Sequence, residues 1–161
     1  MRFEVDQAIA APVDRVLAEL VDPTFYEALA GVPGVDAPRL MDRTVEGEAV
    51  RLVLAFAFAG SVSGAIRTVV DPSKLTWAVH LTVRPSDRTA EFVVVPDHYP
   101  DLLQGSGSHR FTDRGAGGTV RTTGGDLLVR VPLLGRKAEK AIVDGFRRHL
   151  LAEGELLAER A

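Results

Sequence analysis

Past Pro132 the apolar residues recur at helical spacing for about seven turns, and for about a hundred residues before it they do not. A chain so divided has one long C-terminal helix and a sheet for it to cover. Ala138, Ala141, Ile142, Gly145, Phe146, His149 and Leu156 fall on one side of that helix, with Arg136, Lys140, Asp144, Arg147 and Glu155 mostly on the other. At 1.5 Å per residue it runs some 35–40 Å, long enough to cross a whole sheet. The apolar side is under-filled, because Ala138, Ala141 and Gly145 leave space and a helical glycine costs about 1 kcal/mol relative to alanine. Close packing on the sheet and room for a ligand both account for it.

At the other end of the chain, Phe3, Val5, Gln7 and Ile9 share one parity and Glu4, Asp6 and Ala8 the other, the period of a half-buried strand. Pro12 and Asp14 then open a short helix whose apolar face is Val13, Val16, Leu17, Leu20 and Val21. Asp22 and Pro23 repeat the start signal for a second, carrying Phe25, Ala28 and Leu29. Strands are expected at 35–42, 45–58, 62–70, 75–83, 89–95, 107–112 and 119–131, with residues 115–118 as a hairpin connection and 104–108 as a flexible turn. An antiparallel sheet of this kind has one apolar face, and the last helix is its natural cover. The fold class is therefore α+β, a curved antiparallel sheet wrapped around the C-terminal helix, in one domain spanning 1–161.

The chain has 161 residues, 46% hydrophobic and 25% charged, enough for a single core. Having no cysteine, it has no disulfide, thiolate metal site or nucleophilic thiol, which suits a cytoplasmic location. No export signal is visible. The longest charge-free stretch, residues 52–66, is broken around Gly60–Gly64 and shorter than the roughly 20 residues of a membrane span; it reads as strand, turn, strand. Net charge is −3 with dispersed basic residues, so nucleic acid is not an expected partner. The histidines lack the spacing of a zinc motif and no acidic loop suits calcium, so neither metal nor cofactor is expected. Ser106 lacks the first glycine of a nucleophile elbow, and residues 115–118 lack the spacing of a phosphate loop.

The segment from Ala11 through Pro12, Val13 and Asp14 to Asp22-Pro23 resembles the strand-to-helix opening of the START-like superfamily, also called SRPBCC, which includes polyketide cyclases, pollen-allergen relatives and lipid-transfer domains. Val129-Arg130-Val131-Pro132-Leu133-Leu134-Gly135-Arg136-Lys137-Ala138-Glu139 is similar to the junction of last strand and long helix in a mainly actinobacterial, DUF2505-like branch of it. With the start Met1-Arg2-Phe3-Glu4-Val5, the resemblance covers essentially the whole chain. It implies the helix-grip fold and a cavity between sheet and helix that takes hydrophobic molecules. It carries no activity.

Polar groups aimed at that space are few. His149 lies on the helix's apolar side, able to bond a ligand, to act as a base near neutral pH, or to serve the core. His109 shares parity with Phe111 and faces inward, His80 faces out, and His98 sits in a proline-bounded loop. Arg121 shares parity with Leu127 and Val129 and would face the cavity, unless a bulge at Gly124-Gly125 turns it outward. Phe56, Phe58, Trp77, Phe92, Phe111, Ile142 and Phe146 supply a mainly apolar lining.

Three functional readings follow. The first is a non-catalytic carrier or sensor of a lipid, sterol-like or polyketide-like molecule, in which His109, Arg121 and His149 join the lining. The second is a polyketide cyclase-like enzyme using the same three residues. The third is a protein-interaction domain, in its simplest form a homodimer through residues 52–66.

Overall fold

The computed structural model describes residues 1–32, 37–58 and 61–161. Its strands are β1 (Arg2–Ile9), β2 (Arg39–Glu46), β3 (Ala49–Ala57), β4 (Thr76–Arg84), β5 (Thr89–Pro96), β6 (Leu103–Gly115) and β7 (Gly118–Val129). They form one sheet in the order β1-β7-β6-β5-β4-β3-β2, every neighbouring pair antiparallel. Helices α1 (Val13–Leu20) and α2 (Pro23–Leu29) follow the first strand, a single turn α3 (Gly64–Arg67) lies between β3 and β4, and α4 (Gly135–Arg160) closes the chain.

Local chemistry accounts for most of these boundaries. Pro12 opens α1, whose Val13, Val16, Leu17 and Leu20 are all buried. Asp22 caps α2 by accepting from the Thr24 backbone N–H at 2.8 Å, with Pro23 at the first helical position. The hydroxyl of Tyr26 donates to the Leu20 carbonyl at 2.7 Å, and burial pushes that phenol well above its usual pKa of 10. The β6–β7 hairpin turns on Ala116 and Gly117, both at positive φ as a two-residue connection matched to the sheet's twist requires.

Four expectations need correction. Residues 62–70 are not a strand: Ile66 and Val70 are spaced by four, Val70 is buried, and the backbone forms α3. The strand expected at 45–58 is two, divided at Gly47, whose φ of 60° suits a turn. The expected flexible turn at 104–108 lies inside β6, paired to β7 from Gly105↔Leu127 to Ser108↔Gly124. Of the strand expected at 35–42, residues 35 and 36 lie outside the described residues, and β2 begins at Arg39. Among the described residues no helix is long and apolar enough to cross a membrane.

Candidate functional site

Burial along the strands divides the inner face of the sheet into two halves. Val50, Leu52 and Leu54 of β3, Leu81 and Val83 of β4, Ala90 and Phe92 of β5, and Phe111 of β6 are buried beneath α1, α2 and the last turns of α4. Toward the opposite end the same faces continue as Phe56, Trp77, Val79, Val94, Gly105 and Leu103, none of them fully buried. A hydrophobic core closes one end; at the other, beneath α4, the face is only partly buried, and this end is the candidate cleft.

The cleft is lined by rings. Phe56 and Trp77, directly opposed on β3 and β4, stack with centroids 5.7 Å apart and planes 3° from parallel. His149 of α4 meets the edge of Phe56 at 5.9 Å. Phe146, three residues earlier on α4, touches Phe3 and Phe92, each at 5.8 Å. Phe58 and Ile142 stand at the rim, 40% and 41% exposed, rather than in the lining. The proline-bounded loop carrying the exposed His98 joins β5 to β6 at this same open end.

Glycines shape the floor. Gly107 of β6 faces Gly125 of β7, and a Cβ at Gly107 would come within 2.5 Å of the Phe92 ring and 2.3 Å of the Gly124 carbonyl. A Cβ at Gly125 would meet Ser106 O at 2.5 Å and Phe3 at 3.0 Å, so the two bare positions let both rings lie against the sheet.

Behind this floor lies a buried polar cluster. The register of β7 runs unbroken through Gly124 and Gly125, so no bulge turns Arg121 outward. Arg121 is 1% exposed; it pairs with Glu153 of α4, donates from Nε to Gln7 Oε1 at 3.1 Å, and reaches the Leu150 carbonyl at 2.9 Å. Gln7 Nε2 donates to that same carbonyl at 2.7 Å. Burial works to raise the Glu153 pKa, but the charges of Arg121 and His149 and the Arg121 hydrogen bond outweigh it and hold the carboxyl ionised. His109, one row nearer the cleft, bonds Thr123 Oγ1 through Nδ1 at 2.8 Å. Burial, reinforced by the Arg121 charge and opposed by Glu153, lowers its pKa from 6.5 to about 3, so the imidazole is neutral at neutral pH.

The face that α4 buries differs from the expected one. Glu139, Val143, Phe146, Leu150, Glu153 and Leu157 form its seam, spaced alternately by four and three. Ala138, Ile142, Gly145 and His149 form the neighbouring stripe, which borders the cleft; Ala141 is exposed. Among the described residues only the Arg148 guanidinium lies within 4 Å of where a Gly145 Cβ would sit, so packing does not demand that glycine. Sequence reading missed Gln7, Glu153 and Gly154 as site residues. Glu153 was hidden by its charge; its one sequence signal is heptad spacing from Phe146 through Leu150 to Leu157.

Gly154 is where packing does demand glycine. A Cβ there would fall 2.0 Å from Gln7 Nε2, which donates to two helix carbonyls while Oε1 of the same amide accepts from Arg121. Gly154→Ala should therefore destabilise the fold by about 1–3 kcal/mol, against the roughly 1 kcal/mol gain from helix propensity. Urea denaturation measures the difference; a stabilised variant would mean that Gln7 can leave its position cheaply.

The outer face of the sheet carries concavities of its own. An open depression of about 590 Å³ lies over Gly107, Gly124 and Gly125, ringed by Arg2, Glu4, Ser106 and Asp126. A second, of about 200 Å³, lies between β2 and β4 around Asp42, Arg51 and the outward-facing His80. Both have charged rims. No group of three or more metal-ligating side chains occurs among the described residues.

The family model described as "Protein of unknown function (DUF2505)" matches residues 4–160. No protein of curated function matches the sequence. Among solved structures, TTHA0849 from Thermus thermophilus aligns with a TM-score of 0.67 at 17% identity, over 99% of this chain and 96% of that one. The Zhui aromatase/cyclase from Streptomyces sp. R1128 aligns at 0.67 and 16%, over 99% and 92%. Norcoclaurine synthase from Thalictrum flavum aligns at 0.65 and 15%, over 99% and 84%. These likenesses show the fold, the helix-grip arrangement of a curved antiparallel sheet around a long C-terminal helix.

Proposed function

The chain belongs to the family described as Protein of unknown function (DUF2505), with the START-like fold, and on that premise we propose that it binds and carries a hydrophobic small molecule in the cleft beneath α4. The observation that supports this reading is the unevenly covered inner face, where Phe56, Trp77, Phe146 and His149 are only partly buried next to a sealed core. Burial of the guest at about 25 cal/mol per Å² of apolar surface is the driving force. The guest makes room by parting the stacked rings.

In this reading Phe56, Trp77, Phe146 and His149 form the wall and His109 the floor, with the buried Phe92 at the boundary with the core. Phe58 and Ile142 guard the rim, while Phe111 and Arg121 support the floor from beneath. Native mass spectrometry of gently purified protein is expected to show a bound apolar molecule, and organic extraction to remove it. Protein that stays empty after incubation with lipid extract would contradict the reading.

A second reading, an enzyme like the aromatase/cyclases, is favoured by one observation: His109, Arg121 and His149 all face the space between sheet and α4. It predicts that a poly-keto guest is released with loss of water, seen by mass spectrometry, whereas a carrier returns it unchanged. A homodimer through residues 52–66 has less support, since Leu52 and Leu54 are buried in the core and, among the described residues of that segment, Phe58 is the one large apolar side chain that is exposed. Light scattering after size exclusion tests it.

A further inference from the structure

We propose that His109 is the polar anchor of the cleft, an Nε2–H donor set by Thr123 to receive a carbonyl oxygen, so that the site selects neutral aromatic ketones over carboxylates and plain hydrocarbons. This inference rests on the binding reading above and deepens it.

Three observations carry it. His109 and Thr123 are direct partners across β6 and β7, and the Thr123 hydroxyl, on a residue 1% exposed, has no other hydrogen-bond partner among the described residues. A buried hydroxyl places its proton where an acceptor lies, so Thr123 donates to Nδ1 and the imidazole proton resides on Nε2. Next, His109 is only 8% exposed, yet Nε2 makes no hydrogen bond among the described residues, and none of their buried side-chain nitrogens or oxygens is without a partner. Nε2 is therefore the edge of the ring that solvent, or a guest, reaches. The Phe92 ring centroid lies 5.1 Å from that of the imidazole at 34°, placing an aromatic surface beside the His109 ring.

The third observation concerns what is withheld. Arg121, the buried cation of the inner face among the described residues, has Nε on Gln7, one terminal nitrogen on Glu153 and the other on Gln7 and the Leu150 carbonyl. A carboxylate entering the cleft finds Arg121 fully committed, His109 neutral near pH 7, and His149 already facing the Glu153 carboxylate, whose negative charge opposes a second anion. Burying an anion without a partner is costly, whereas a carbonyl needs the single hydrogen bond that Nε2 offers.

Isothermal titration calorimetry with 2-acetylnaphthalene, 2-isopropylnaphthalene and 2-naphthoate tests the assignment. The ketone is expected to bind about fivefold more tightly than its hydrocarbon isostere, the worth of one hydrogen bond, and the carboxylate more weakly than either. The ketone-to-hydrocarbon ratio should fall to about one in His109→Phe and shrink in Thr123→Val. An unchanged ratio in His109→Phe, equal binding of ketone and hydrocarbon, or tightest binding of naphthoate would overturn the anchor. Long-range ¹H–¹⁵N correlation on the free wild-type protein should find His109 in the Nε2–H tautomer, and the Nδ1–H tautomer would sink the proposal without any variant. Hydrocarbon binding without ketone preference removes the anchor alone; no binding of either neutral naphthalene removes the carrier reading and the anchor with it.

Discussion

Glu153→Leu should lower the folding free energy by about 3–5 kcal/mol, read as a reduced urea midpoint with little change in slope. The leucine fits a seam that already holds Leu150 and Leu157, so lost packing is not the cause. The cost arises because Arg121, 1% exposed, keeps its charge with no anion beside it. The double variant Arg121→Met/Glu153→Leu removes both charges and should recover more than half of the loss. What remains comes from Gln7 Oε1, which loses the guanidinium as donor and is left to bear about 1–3 kcal/mol of unmet hydrogen bonding. A double variant no more stable than Glu153→Leu would show that the ion pair is not what the single change exposes.

Acid should weaken the protein before its carboxylates titrate. An unfolded His109 takes up a proton near pH 6.5, whereas the folded one resists until about pH 3. Below 6.5 the unfolded state thus binds more protons, so stability is full above that value and falls by up to about 1.4 kcal/mol per pH unit toward 3. Between pH 6.5 and 4.5 this comes to about 2–3 kcal/mol from His109 alone. Glu153 adds to the loss only below 4.5, because its folded pKa is held under its unfolded value. His109→Gln removes the titrating ring, and its stability profile across that window should be flatter by one proton's worth of slope. Parallel profiles for the two proteins would mean that the ring is protonated in the folded state.

Where the residues on one side of an element are mostly apolar, or a start signal is local, the fold was legible in sequence. The alternation Phe3, Val5, Gln7, Ile9 marked β1, Asp22-Pro23 marked the start of α2, and Trp77, Val79, Leu81, Val83 marked β4 with its inward face. The length of α4 was legible too, but not its buried seam, because two of the six seam positions are glutamates whose partners lie far off in sequence or on the chain's other elements. Arg121 and Glu153 give no local sign of each other across 32 residues, nor Gln7 and Leu150 across 143. α3 was hidden by Ile66, Val69 and Val70, β-branched residues that suit a strand until the spacing of Ile66 and Val70 puts both on one side of a turn. The glycines Gly105 and Gly107 misled in the other direction. They look like a turn because nothing in the sequence reveals that the Phe92 ring occupies the space above Gly107.

Guests are expected to enter between β3–β5 and α4. Amide and aromatic chemical-shift mapping of labelled protein titrated with 2-isopropylnaphthalene tests it most directly, with Trp77, the chain's single tryptophan, as a reporter inside the lining. The largest shifts are expected at Phe56, Trp77, Phe146 and His149, with smaller ones at His109. Shifts confined to Arg2, Ser106, Gly124 and Asp126 would place the guest in the outer depression instead and contradict it.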